Sequence, residues 1–348
     1  MAKPKGSFKI QGGRKMPTID FWKVHGSGNE FFLIDEDQFD SPFTTNEKEA
    51  LSRTLCNRKH GIGADGILFV GLGDSVDGYM EIFNADGTKA SMCGNGLRCA
   101  GRYILEKLGK EQIVVRTEKA DLQVKRKFHK EEQMDFFQVE ISPVSFVPHT
   151  LPMHTNLKQV IDEKLPFISE DLTFTALSVP NPHLVAYVKP EFYSRNDLIR
   201  IGELVNNKNP WFPDGVNVSF FYVPQEGEMI INTFERGVGL THACGTAMAA
   251  SGIVAAKAGF HPFEKPMTVY NNGGYCQIIP HRKNQQYWAD LIGNGTFSFL
   301  GKCEVNKDFK VLEKWSVVKE YKEEDRAYER IRRRAKEKIF QIFGKDEL

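Results

Sequence analysis

Apolar residues recur along this chain at strand and at helix spacing, and one helical pattern occurs twice. Strands are predicted at 19–24 and 31–35, and 47–58 reads as a helix with Leu51 and Leu55 four apart. From Leu97 the apolar or small positions are Leu97, Ala100, Gly101, Ile104, Leu105 and Leu108. That is helical spacing, and Gly109 supplies a C-terminal stop. Strand patterns return at 113–116, 122–127 and 136–141. Pro143, Pro148 and Pro152 then mark a crossing into a second half. The helical pattern recurs 151 residues on, at Met248, Ser251, Gly252, Ala255, Ala256 and Gly259, with Lys257 as its one charge. A helix so uniformly small and apolar is expected to be enclosed, with strands packed closely around it. Further strands are predicted at 267–270, 275–280, 287–291 and 296–300.

The repetition extends beyond the helices. Phe83 leads to Cys93-Gly94-Asn95-Gly96 in ten residues, and Phe234 leads to Cys244-Gly245-Thr246-Ala247 in ten. Asn29 lies 64 residues before Cys93, and Asn181 lies 63 before Cys244. Asp65-Gly66 and Asp214-Gly215 stand 28 and 30 residues before their cysteines, each followed by an apolar, strand-like run. Landmarks in one order at nearly equal spacing mark an internal duplication. Two similar α/β halves are therefore predicted. Residues 1–16 form a basic N-terminal arm; 17–141 form the N-terminal domain, joined by a strand near 296–305. Residues 142–295 form the C-terminal domain, and 306–348 a charged helical extension.

Length and charge narrow the picture further. A chain of 348 residues suits two domains of ordinary size. The formal net charge of +1 gives no global field for nucleic acid, and no apolar run is long enough for a membrane helix. Six cysteines lack the spacing of a metal site or a small disulfide scaffold, so reduced thiols in the cytoplasm are expected. The arm at 1–16 lacks the apolar core of a signal peptide, so the terminal Lys345-Asp346-Glu347-Leu348 is read as coincidence rather than as an address. Lys, Arg and Glu dominate 319–338, which reads as a solvated helix with intrahelical ion pairs; a partner or nucleic-acid contact is the other reading.

Cys93 and Cys244 carry the candidate chemistry. Each precedes a helix and is followed by glycine, whereas Cys56, Cys99, Cys276 and Cys303 read as inert buried thiols. At a helix N-terminus the unpaired N–H groups and the dipole favour thiolate, lowering its pKa from a free value of about 8.5. The same N–H groups can hold a carboxylate. One thiolate can then remove the proton beside that carboxylate while an opposed thiol delivers one to the other face. The converging donors stabilise the carbanion as an aci-carboxylate. Such an inversion needs neither pyridoxal phosphate nor metal. Redox exchange is the runner-up, although it usually employs a Cys-x-x-Cys pair. Zinc is weaker still, because His183 and His242 complete no ligand pattern.

These stretches resemble the diaminopimelate epimerase family. The matching segments are Lys23-Val24-His25-Gly26-Ser27-Gly28-Asn29-Glu30-Phe31, Gly61-Ile62-Gly63-Ala64-Asp65-Gly66 and Phe83-Asn84-Ala85-Asp86-Gly87 through Cys99. In the second half they are Asn181-Pro182-His183, Gly215-Val216-Asn217-Val218, and Glu235-Arg236-Gly237-Val238-Gly239 through Thr246. The resemblance implies two pseudo-symmetric α/β (α+β) domains, each a curved mixed sheet wrapped around a central helix. It implies cofactor-independent interconversion of LL- and meso-diaminopimelate, in lysine and cell-wall precursor biosynthesis, by a homodimer that binds neither metal, nucleic acid nor membrane. Cys93 and Cys244 would be the acid/base pair, with the reacting carboxylate on the backbone of Gly94-Asn95 and Gly245-Thr246. Asn84, Asn181, Asn217 and Arg236 would grip the distal carboxylate, and Glu235 an amine, with Asn29 nearby. His183 either positions an amine or is structural. Leu240 departs from many relatives, which carry Glu or another residue there, so any carried-over polar contact at that position is lost. A racemase of another amino acid on the same fold, or a non-catalytic amino-acid-binding protein, is the alternative.

Overall fold

The computed structural model describes residues 17–344. The basic arm at 1–16 and the terminal Lys-Asp-Glu-Leu lie outside the described residues. The first stretch runs β1 (Thr18–Gly26), β2 (Asn29–Asp35), α1 (Thr45–Leu55), β3 (Gly66–Gly71), β4 (Gly78–Asn84), β5 (Lys89–Ala90), α2 (Gly94–Leu108), β6 (Gln112–Arg116) and β7 (Asp121–His129). Then come β8 (Met134–Val144), β9 (Glu163–Leu165), β10 (Ser169–Val179), β11 (Asn181–Tyr187), α3 (Arg195–Asn206), β12 (Asn217–Gln225) and β13 (Glu228–Glu235). They are followed by β14 (Gly239–Thr241), α4 (Gly245–Lys257), β15 (Met267–Asn271), β16 (Gly274–Lys283) and β17 (Gln286–Asn294). The chain closes with β18 (Thr296–Val305), β19 (Leu312–Glu320) and α5 (Lys322–Phe343).

The duplication is visible in the strand pairing. β1–β2 is antiparallel, β2–β3 parallel, β3–β4 antiparallel, β4–β6 parallel and β6–β7 antiparallel. β10–β11, β11–β12, β12–β13, β13–β15 and β15–β16 repeat that order of directions. Each mixed sheet has one central helix. α2 touches β1, β2, β3, β4 and β6, and α4 touches β10, β11, β12, β13 and β16. Every residue of α4 except Lys257 is buried, which accounts for its small, apolar composition. α2 stops at Leu108, where Gly109 takes the left-handed conformation and its N–H returns to Leu105.

The chain forms two compact units. One runs to Arg126 and resumes over Asn294–Ala327; the other takes Lys127–Gly293 and the chain from Tyr328 onward. In the first unit β18 pairs antiparallel with β1. In the second, β8 pairs with β17, and Ser145 bridges Ser178 of β10. Residues 127–141, assigned from sequence to the N-terminal domain, therefore belong to the second unit. The prolines at 143–152 mislead because β8, which runs through Pro143 to Val144, already belongs to the new sheet.

The tail also differs from expectation. Residues 312–320 are a strand on β18, not helix. Nor is α5 simply a solvated helix, because from Tyr328 it is core of the second unit. Tyr328, Ile331, Ala335 and Ile339 are buried at helical spacing. Tyr328 and Ile331 join Phe136, Tyr275 and Ile292, and the Tyr328 hydroxyl donates to the Gly273 carbonyl at 2.8 Å. Arg334 donates to the wholly buried Glu132 at 2.8 Å, and Lys338 pairs with Glu228 at 2.6 Å. The charged face dominates composition and hides the apolar stripe. No helix among the described residues is long and apolar enough to cross a membrane.

Ile331→Ala should lower stability by about 2–5 kcal/mol in urea titrations, as for other buried isoleucine truncations. Arg333→Ala, on the exposed face of the same helix, should change it by less than about 0.5 kcal/mol.

Candidate active site

In the first unit, Cys93 is the N-cap of α2. Its backbone is extended (φ −150°), and its sulfur accepts the Gly96 N–H at 3.4 Å. The thiol also faces Asn29, donating to Oδ1 at 3.6 Å. The same Oδ1 takes the Asn95 side-chain amide at 3.4 Å. Asn29 is locked in this orientation because its Nδ2 donates to Asp65 Oδ2 at 2.8 Å, and a carboxylate can only accept. Asp65 is held in turn by Arg58 at 2.8 Å and by the Glu30 N–H at 2.9 Å. Asn84 lies exposed at the end of β4, donating to the Thr88 hydroxyl at 2.9 Å. Thr88 donates to Asp86 at 2.6 Å, which holds the Asp86 carboxyl below its usual range.

Asn29 owes its place to a two-residue hairpin. Ser27 and Gly28 both have positive φ, 53° and 79°, between the paired residues Gly26 and Asn29. That is the pattern of a tight turn matched to strand twist. Arg98, wholly buried in α2, donates to the Ser27 hydroxyl at 3.0 Å and to Asn95 Oδ1 at 3.1 Å. Its Nε reaches the Asn294 carbonyl at 2.9 Å. Sequence reasoning gave no role to Arg98, Asp65 or Arg58. The detectable signal was a charge at a core-facing helix position, between Leu97 and Cys99.

In the second unit, Cys244 is the N-cap of α4, is 7% exposed, and makes no side-chain cap bond. Its sulfur lies 3.5 Å from the Thr246 hydroxyl. Burial first, then the Glu235 charge, pushes the thiol well above its ordinary value, against the pull of Thr246 and the Ala247 N–H. The sequence-based expectation of a lowered value is thus reversed here. Desolvation outweighs the helix terminus because this helix end is enclosed. Glu235 accepts from the Thr241 hydroxyl at 2.5 Å.

His183 is completely buried beside the first turn of α4. Its Nε2 lies 3.0 Å from Asn181 Oδ1 and 3.1 Å from Thr246 Oγ1. Asn181 Oδ1 can only accept, so the neutral ring carries its proton on Nε2. Burial, reinforced by Arg236, drives His183 down to about 3. Asn217, nearly buried, accepts the Arg236 backbone N–H at 2.8 Å. The Arg236 guanidinium is anchored to the Asp214 carbonyl at 2.8 Å. Gly215, with φ 71°, makes room for it: a Cβ there would lie 3.0 Å from Arg236 Cδ and 2.4 Å from Asn206 Oδ1. Leu240 packs with Phe234 against the core of this unit, an apolar use of the position. Gly245 and Thr246 open α4, as Gly94 and Asn95 open α2, and helix openings present N–H groups without intrahelical partners.

The remaining cysteines are all buried. Burial pushes Cys56, Cys99 and Cys303 up to about 12, which leaves them protonated and unreactive. Among the described residues no group of three His, Cys, Asp or Glu side chains could hold a metal ion.

Because folded His183 titrates near 3 and an unfolded histidine near 6.5, protons favour the unfolded chain as pH falls below 6.5. The stability advantage of the native chain over His183→Gln should therefore be full above pH 6.5 and shrink towards pH 4. Urea midpoints measured across that range check it; a constant gap would contradict the buried neutral ring.

The segments that build these helix ends match a known family. The profile of the diaminopimelate epimerase family matches residues 21–147 and 175–296. A diaminopimelate epimerase of Ligilactobacillus salivarius is 46% identical over 285 residues, covering 80% of this chain and 88% of the relative. One of Enterococcus faecalis is 45% identical over 283 residues, covering 80% and 87%. Among solved structures, a Bacillus anthracis phenazine biosynthesis protein of the PhzF family superposes with a TM-score of 0.58 at 16% identity, over 87% of this chain and 99% of that one, which supports the shared fold alone. Two repeated mixed α/β halves, with cysteines capping equivalent helices, carry the segments that this profile matches: the chain belongs to the diaminopimelate epimerase family, whose members are isomerases.

Proposed function

We propose that this chain interconverts LL- and meso-diaminopimelate without a cofactor, with Cys93 and Cys244 as its two acid/base groups. The observation that carries the reading is the equivalence of the two cysteines: each N-caps the central helix of its own repeat, at the same point in the same strand order. Inversion at one α-carbon needs an acid/base group on each face. In the forward sense the Cys93 thiolate takes the α-proton and the Cys244 thiol supplies one to the opposite face. Cys93 ends protonated and Cys244 ends as thiolate, the state required for the reverse reaction. Burial favours the thiol form of Cys244, which suits it to start as the acid.

The substrate carboxylate is assigned to the N–H groups at Gly94-Asn95 and Gly245-Thr246, where developing aci-carboxylate charge meets oriented donors. Arg236, Asn84, Asn181 and Asn217 are assigned to the distal carboxylate, and Glu235 to an amine, with Asn29 beside Cys93. Arg236 suits its role because a guanidinium can pair with a carboxylate through two parallel bonds. With the Asn217 carbonyl already taken by Arg236 N–H, Asn217 Nδ2 is the group left to donate. A cytoplasmic homodimer completes the proposal, and sedimentation at working concentration tests the assembly.

Incubation with LL-diaminopimelate in heavy water should yield meso product carrying α-deuterium. Cys93→Ala and Cys244→Ala should each reduce epimerisation at least about 10³-fold, since each face loses its only acid/base group. Near-normal turnover by either would sink the two-thiol mechanism.

Activity should survive exhaustive dialysis and EDTA without added pyridoxal phosphate. Proline and alanine, lacking a second carboxylate, should turn over poorly; efficient use of either would assign a different racemase activity.

A further inference from the structure

The buried Arg98 is the charge that the acid/base scheme leaves unused. It is wholly buried, and among the described residues it makes no hydrogen bond to a carboxylate. Its partners are neutral oxygens: the Asn294 carbonyl at 2.9 Å, the Ser27 hydroxyl at 3.0 Å and Asn95 Oδ1 at 3.1 Å. Nη1 is buried with no hydrogen-bond partner. Burying a guanidinium without a counter-charge is costly, so a fold that keeps one needs a compensating use for it.

Its position supplies that use. Asn95 Nδ2 and the Cys93 thiol converge on Asn29 Oδ1, and Asn29 follows the Ser27-Gly28 turn directly. Ser27 is a non-glycine residue in the left-handed region, a strained conformation that surrounding bonds must hold. Arg98 grips its hydroxyl, and Asn294 Oδ1 accepts its N–H at 3.0 Å. The turn also lies so close that a Cβ on Gly26 would stand 2.8 Å from the Asn95 carbonyl and 2.9 Å from Arg98 Nη2. One guanidinium thus ties the hairpin that carries Asn29 to the helix end that carries Cys93 and Asn95. The second repeat has no counterpart: the residue five places after Cys244 is the buried Ala249.

Resting on the acid/base reading of Cys93, we propose that Arg98 is the positioning residue of this half-site. It fixes Asn29 and Asn95 around Cys93 and supplies the standing positive charge that offsets the anions formed there. The proton and charge balance of the reaction is unchanged; Arg98 gives up no proton. The other charged or titratable groups around this half-site are Asp65, Arg58, Glu30 and Lys23, linked through Asn29 and its strand, with Cys99 on α2 and His25 on β1.

The test uses Arg98→Met and Arg98→Lys in the full chain, each also combined with Cys244→Ser. In the latter background iodoacetamide labelling at Cys93 is followed against pH and assigned by peptide mass. Arg98→Met should raise the labelling midpoint by about one unit or more and cut kcat by about 10²-fold. Arg98→Lys keeps the charge and loses the fork. It should hold the midpoint near that of the unaltered chain and recover part of the lost kcat. A folded Arg98→Met protein with an unchanged labelling curve would overturn the proposal. Should that variant not fold, Arg98→Lys decides: a held midpoint with reduced kcat supports the proposal, and a displaced midpoint or full kcat overturns it. If the unaltered chain fails to epimerise diaminopimelate, the functional reading falls, while the labelling curves still report on Arg98.

Discussion

A helix enclosed by strands can present its backbone to a ligand only at its ends. That constraint governs each unit of this protein. The strands around α2 and α4 cover their sides, so the first-turn N–H groups are the helix donors without intrahelical partners. Placing cysteine at the N-cap sets a sulfur beside those donors, and placing glycine next keeps the approach clear. The small residues of α4, among which Ser251 and Gly252 lower its helix propensity, suit strands packed close around it.

The two helix ends share a plan but differ electrically. Cys93 is half-buried, bonded to the Gly96 N–H, and linked through Asn29 and Asn95 to the buried Arg98. Cys244 is enclosed, faces Thr246, and feels the charge of Glu235. The surroundings of the two thiols are thus unequal, and the inequality arises from substitutions around a duplicated core: Ala249 stands where the first repeat has Arg98.

Closure of each unit relies on chain from elsewhere in the sequence. β18 returns to pair with β1, while β8 leaves its own repeat to pair with β17. The charged tail continues the theme, with β19 extending the first unit and α5 burying Ile331 and Ile339 in the second. Glu132 accepts from both the Tyr275 hydroxyl and Arg334, so the tail is anchored by a buried polar contact as well as by packing. Truncating one partner of such a contact leaves a desolvated group unpaired.

The amino-acid sequence alone determined the duplication, the two central helices, the paired cysteines and the family. Those features are local: spacing of apolar residues, glycine at caps, and motifs readable residue by residue. The limits of β8, the strand at 312–320 and the buried stripe of α5 were less legible, since strand membership depends on a partner remote in sequence. Tertiary structure alone decided the protonation of Cys244, the orientation of Asn29 and the burial of Arg98. Desolvation and hydrogen-bond partnership belong to the surroundings of a side chain, and Asp65, Ser27 and Asn294 come together with α2 only when the strands close around it.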